Sequence, residues 1–242
     1  MNNFSTIIYE KKENIAYVTL NRPKVLNIYN IQMRDDLFQV LSAIKEDSEV
    51  RVVIFNGAGD KAFCAGADLS EFLTAPSPIK AREARWARDI WGLFLSVPQP
   101  IIAALHGYVL GSGIEIALCC DIRLASEDVR FGLPEPGLGI IPAAGGTQTL
   151  PRIIGRGKSL EMLFTNSWIK GEEALRIGLV DHIVIKEELL QTAETKAKKI
   201  SSLKQIAVRK AKEAITRGLD LNLPNGLYLE KMLATEVALM TR

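Results

Sequence analysis

The chain is poor in the residues that build metal centres and disulfide frameworks. Its 242 residues include three cysteines and two histidines. Cys119 and Cys120 are adjacent, so a bridge between them would close only under strain. Cys64 stands apart, and neither His106 nor His182 lies at metal-ligand spacing from any of the three. No metal site is expected, and a reducing compartment fits best. Long apolar runs are also missing, and the first residues alternate polar and apolar (IAYVTL) without a signal-peptide core. A soluble, cytoplasmic protein that does not enter the membrane is therefore expected. Nor is there an excess of charge. Thirty basic residues against 28 acidic ones leave a formal +2, which argues against a broad nucleic-acid surface. Basic residues do gather at 81–88 (AREARWAR) and 196–212, where a solvated helix face accounts for them as well as a binding site does.

What the chain has is apolar content, 48%, enough for one sizeable core. Residues 7–20 carry two strand-like runs separated by a charged turn, KKEN. Met33, Leu37, Val40, Leu41 and Ile44 share one face of a helix predicted over 31–46. VRVVIFNG (50–57) and PIIAALHG read as buried parallel strands, and DIRLAS as another. Between them, AFCAGADL (62–69) is a small-residue turn that leads into a helix and would let a ligand approach the backbone. Residues 79–97 read as a single helix stopped by Pro98 and Pro100. Strand, glycine-rich turn and short helix recur, the pattern of an α/β fold built from β-β-α units. Beyond Gly146 the chain becomes mainly helical, with segments at 155–165, 170–178, 186–202, 203–218 and 223–242, and LVDHIVI is a last strand.

Two glutamates stand in uncomfortable settings. Glu115 lies in the apolar run IEIALCC, directly after Gly-Ser-Gly. Glu135 lies in GLPEPGLGII with no basic neighbour in sequence. A carboxylate is rarely buried unpaired, and one forced into apolar surroundings raises its pKa. Two such groups suit acid–base chemistry near neutral pH. From spacing alone, a helix-capping Glu115 and a solvated turn at Glu135 fit equally well.

The segments NRPKVLNIYN, KAFCAGADL, AALHGYVLGSGIEIALCCDIRLAS, FGLPEPGLGIIPAAGGTQTLPRIIG and KGEEALRIGLVDHIV, in this order, resemble the enoyl-CoA hydratase/isomerase (crotonase) superfamily over essentially the whole chain. The resemblance implies an α/β spiral of β-β-α repeats over residues 1–188 and a helical trimerisation region over 189–242. It implies an acyl-CoA substrate, with coenzyme A as part of that substrate and no separate cofactor, and self-association as a trimer or hexamer. Glu115 becomes the base that accepts a proton from the attacking water, and Glu135 the acid that delivers one to Cα. The backbone N–H groups of Cys64 and Ser112 become an oxyanion hole, each donor worth about 2.7–4 kcal/mol to a transition state. Many members have glycine where Ser112 stands; its Cβ narrows the acyl tunnel.

CoA and acyl contacts are expected from Ala62, Ala65, Gly66, Ala67, Asp68, Leu69, Gly111, Gly113, Pro134 and Gly139, with Arg22 or Lys24 near the phosphates. Leu69, Phe72, Trp86 and Trp91 are candidates for the tunnel wall. The helical region stops short of the usual final segment, which implies looser CoA binding. With both glutamates present, water addition to a 2-enoyl-CoA is the first expectation. Δ3-Δ2 isomerisation, or hydration of a dienoyl or alicyclic acyl-CoA, is the second, and RNA binding, known of some relatives, is the non-enzymatic alternative.

Overall fold

After an opening hairpin, strands leave this chain in pairs, and each later pair divides between two sheets. The computed structural model describes residues 4–73, 77, 79, 80, 83 and 87–241, apart from the side chains of Phe72 and Leu73. β1 (Ile7–Lys12) and β2 (Ile15–Leu20) form an antiparallel hairpin turning at Glu13 and Asn14. β1 thus runs through Lys11 and Lys12, which the sequence assigns to the turn. Lys11 is held there by Asp47 at 2.9 Å and Glu49 at 2.7 Å.

From β2 the large sheet continues in parallel through β3 (Val52–Gly57), β5 (Ile101–Leu105), β7 (Ile122–Ser126) and β10 (His182–Val184). The small sheet takes β4 (Ala62–Cys64), β6 (Tyr108–Leu110) and β8 (Arg130–Gly132) in parallel, then β9 (Ile169–Lys170) antiparallel. Successive pairs β3/β4, β5/β6 and β7/β8 therefore climb as the expected spiral. The small-sheet strands are two or three residues long, too short to show a period of two in sequence.

Helices close the spiral. α1 (Ile31–Glu46) matches its expected bounds and is capped by Asn30, whose side chain accepts from the Met33 N–H. The helix expected over 79–97 is broken instead. Residues 87–89 leave helical geometry, and Asp89 caps a new helix, α3 (Ile90–Ser96), by accepting from the Gly92 N–H at 2.8 Å. A short α2 (Ser70–Leu73) precedes it, starting just beyond Asp68 and Leu69. α4 (Ser112–Leu118) follows β6. α5 (Gly146–Ile154) is absent from the sequence reading because Pro151 sits inside it, where proline removes a helical N–H. α6 (Arg156–Thr165), α7 (Gly171–Arg176), α8 (Leu189–Ser201), α9 (Gln205–Gly218) and α10 (Leu223–Met240) complete the chain.

The large sheet is buried on both faces, which is why its strands read as continuous apolar runs. Val53, Phe55, Ile101, Ala103 and Leu105 face α1 and the small sheet. Ile15, Val52, Ile54, Ile102 and Ala104 alternate to the other face and pack on Leu189, Ala193 and Ala197, one stripe of α8. Each fully buried Ile or Leu contributes roughly 1.5–3 kcal/mol.

Three basic residues of the cluster at 196–212 are engaged internally. Lys212 reaches Asp121 at 2.7 Å and the Gln99 carbonyl, Arg209 the Val50 carbonyl, and Lys210 pairs with Glu236. Of the cluster at 81–88, residues 81, 82 and 84–86 lie outside the described residues. Arg88 pairs with Asp35 at 3.2 Å and covers the Phe38 ring. Among the described residues, no helix is long and apolar enough to cross a membrane.

Candidate active site

Glycines decide how closely the spiral's parts can approach. α4 begins after Gly111, whose φ of 48° lies in the region that favours glycine. On Gly113, a Cβ would stand 2.1 Å from the Cys64 carbonyl oxygen, so α4 rests directly on β4. That contact carries Glu115 into the interior, where it is 3% exposed. Its Oε1 accepts the Ala144 N–H at 2.9 Å and the Gly146 N–H at 3.0 Å. Gly146 is itself required, since a Cβ there would lie 2.9 Å from that oxygen. Burial pushes the Glu115 carboxyl up to about 7 against the pull of these two donors, and the nearby Glu135 adds to the rise.

Glu135 opens a 3-10 turn, Glu135–Leu138, between Pro134 and Pro136. The prolines set the turn by fixing their own φ. Burial raises its pKa as well. Its Oε2 is sealed from solvent and has no hydrogen-bond partner among the described residues. Its Oε1 sits 2.9 Å from where a Cβ on Gly111 would be, so the turn closes over the start of α4.

Both glutamates line one cavity of about 140 Å³. Of the residues expected at the site, Ala65, Gly66, Ala67, Leu69, Gly111, Ser112 and Pro134 line it with them, and so does Trp91 from the tunnel candidates. The remaining wall comes from Tyr29, Leu138, Ile140, Ile141, Ala143 and Ala144, which sequence reasoning missed. The PAAGG run carried the only usable signal: small residues ahead of a helix, where two N–H groups can approach a carboxylate. The Tyr29 and Trp91 rings meet at 5.8 Å.

The other expected residues lie elsewhere. Ala62 is buried in β4, Gly113 faces that strand, and Gly139 is an exposed left-handed cap of the 3-10 turn. Lys24 is exposed on a short turn. Arg22 and Asp68 come together as an ion pair at 3.3 Å, and Arg22 also donates to the Ile28 carbonyl at 2.7 Å. The Ser70 hydroxyl first, and Arg22 with it, hold the Asp68 carboxyl below its ordinary range. Trp86 and the side chain of Phe72 lie outside the described residues.

Cys64 requires a correction. It is fully buried, pairs with Val109 in the small sheet and does not reach the cavity. From the same turn, Ala65, Gly66 and Ala67 line it. Tyr29 and Ala67 form a parallel bridge in which the Tyr29 N–H donates to the Gly66 carbonyl and the Asp68 N–H donates to the Tyr29 carbonyl. The flanking groups of 66 and 68 are used on that side, so the Ala67 N–H faces away from Tyr29. Ser112 is the first residue of α4, and its N–H has no intrahelical acceptor. The sequence could not separate Cys64 from Ala67, because both lie in the same small-residue turn three positions apart.

The family model for enoyl-CoA hydratase/isomerase matches residues 10–240. A putative enoyl-CoA hydratase/isomerase of Bacillus subtilis is 44% identical over 227 residues, covering 94% of this chain and 87% of the relative. A short-chain-enoyl-CoA hydratase of Clostridium acetobutylicum is also 44% identical over 227 residues, covering 93% and 87%. The crystal structure of an enoyl-CoA hydratase from Bacillus anthracis superposes with a TM-score of 0.93 at 40% identity, covering 97% of this chain and 91% of that one. Sequence and fold thus agree along nearly the full length, and the chain belongs to the enoyl-CoA hydratase/isomerase family.

Proposed function

We propose that the chain adds water across the double bond of a 2-enoyl-CoA thioester to give a 3-hydroxyacyl-CoA. The observation that carries this reading is the pair Glu115 and Glu135 on one cavity, each carboxyl raised above its ordinary range by burial. Glu115, ionised, takes a proton from water as the water oxygen bonds to Cβ. The π electrons move toward the thioester carbonyl, whose oxygen takes up charge between the N–H groups of Ser112 and Ala67. Glu135, protonated, then delivers its proton to Cα. Donors fixed in place before the reaction stabilise such charge without reorganising.

The named relatives include a short-chain-enoyl-CoA hydratase and a crotonyl-CoA hydratase, which favours a short acyl group here. No separate cofactor enters the scheme. Residues 189–242 are the region we assign to self-association: Leu219, Leu223, Leu227, Tyr228 and Leu239 leave an apolar surface open on α10 and the turn that precedes it. Assembly as a trimer or hexamer would cover it.

The test is loss of the conjugated thioester absorbance when crotonyl-CoA is mixed with the protein, with 3-hydroxybutyryl-CoA identified as product. The absence of both would defeat the reading. The pH profile follows from the same geometry. Glu115 must be ionised to accept a proton, and its folded pKa lies near 7 instead of 4.5. Activity is expected to fall on the acid side of about pH 7, approaching about tenfold per pH unit. Because Glu115 and Glu135 interact, the limbs of the profile belong to the pair. An acid limb centred below pH 5 would show that Glu115 is not the base.

A further inference from the structure

A serine beside the reacting oxygen has a hydroxyl with nothing to bond. Ser112 is 7% exposed and lines the cavity that holds Glu115 and Glu135. Its backbone carries one of the two inward N–H groups. Its side-chain hydroxyl has no hydrogen-bond partner among the described residues. The hydroxyl is not sealed in the core, so a molecule that enters the cavity can meet it. Packing does not demand the hydroxyl either. Its neighbours Gly111 and Gly113 are fixed by contacts with Glu135 and Cys64, whereas Ser112 lines the cavity. Backbone donation needs no side chain at this position. A ligand oxygen held by the Ser112 N–H is therefore within reach of the O–H of the same residue.

We infer that the Ser112 hydroxyl is a third donor to the thioester oxygen, acting beside the backbone N–H of the same residue and that of Ala67. The inference rests on the reading of this cavity as the enolate-forming site. A serine Oγ is separated from its own backbone nitrogen by only two carbons, so one oxygen anion can receive both hydrogens. The hydroxyl has one further advantage over a fixed amide. It rotates, so it can follow the oxygen as the C=O bond lengthens toward the enolate, and a hydrogen bond to developing charge is among the strong ones. The bond strengthens as charge builds, so its effect falls mainly on turnover and little on ground-state binding.

The test compares wild type with Ser112→Ala and Ser112→Gly on crotonyl-CoA, together with binding of acetoacetyl-CoA. The acidic Cα–H of that 3-ketoacyl thioester allows it to bind as an enolate with its own absorbance. Both variants keep the backbone N–H. Ser112→Ala also keeps the Cβ and so leaves the cavity walls in place. The expected result for both is a fall in kcat of about tenfold or more, with KM changed by less than about twofold. The enolate fraction of bound acetoacetyl-CoA falls in the same two proteins. Unchanged kcat and unchanged enolate fraction in Ser112→Ala overturn the inference. So does a change confined to KM that appears in Ser112→Gly and not in Ser112→Ala, because cavity width would then be the role of the side chain. If wild type fails to hydrate crotonyl-CoA yet its enolate fraction exceeds that of Ser112→Ala, the third donor stands and the hydratase reading falls.

Discussion

Glu115→Gln and Glu135→Gln each lower hydration turnover by about 10²–10⁴-fold. Glutamine has nearly the shape of glutamate and can still accept the Ala144 and Gly146 N–H bonds through its oxygen, so the cavity survives while proton transfer does not. The two losses should not multiply in the double variant, because both groups serve one reaction. Glu115→Gln has a second expected result of opposite sign. A buried carboxyl whose folded pKa is raised from 4.5 to about 7 carries no penalty when protonated in both states. The penalty grows as pH rises through that window and is complete above it, on the order of 3 kcal/mol by linkage. Glu115→Gln is therefore expected to melt higher than wild type at pH 8, with the difference shrinking toward pH 4.5. A variant that loses activity and also loses stability at pH 8 would mean that Glu115 is a structural tie, not a strained catalytic group.

Gly113→Ala is expected to destabilise the protein and to abolish most turnover. In an ordinary helix the change would stabilise by up to about 1 kcal/mol. Here the added Cβ would sit 2.1 Å from the Cys64 carbonyl oxygen and 3.0 Å from the Cys64 Cβ, and β4 is tied into the small sheet. Helix and strand must separate, at a cost of about 1–3 kcal/mol for overpacking. Each kcal/mol lowers the melting midpoint of a domain this size by roughly 2–4 °C. The separation also moves the Ser112 and Ala67 donors apart, and a displacement of about 1 Å is enough for a 10²-fold loss in rate. Calorimetry and turnover on one preparation test both parts. A protein as stable and active as wild type would show that α4 does not bear on β4 in this way.

The fold and the site were legible to different depths. α1 came out with its full bounds because Met33, Leu37, Val40, Leu41 and Ile44 repeat at helical spacing and Asn30 caps them. The large-sheet strands came out because burial on both faces makes them uniformly apolar. The small sheet did not, since pairing of two- and three-residue strands is decided by tertiary contacts that no local pattern records. α5 was hidden by Pro151, and the break before α3 by an Asp89 cap in an otherwise helix-like run.

At the site, the discomfort of Glu115 and Glu135 could be read from their neighbours. Their convergence on one cavity could not, because it depends on β4, α4 and the 3-10 turn meeting in space. The exchange of Cys64 for Ala67 has the same origin. Within a run of small residues, which peptide faces inward is fixed by the bridge to Tyr29, a residue distant in sequence. Arg22 shows the reverse case: its charge was visible, but its partner Asp68 was not.

The most direct measurement offers one preparation of the wild-type protein a 2-enoyl-CoA and the matching 3-enoyl-CoA, and compares the rate of water addition with the rate of double-bond migration. The two-carboxylate scheme requires hydration to be the faster reaction, with Glu115→Gln suppressing it. Rapid migration without water addition, insensitive to Glu115→Gln, would contradict the scheme and leave Glu135 alone as the working acid–base group.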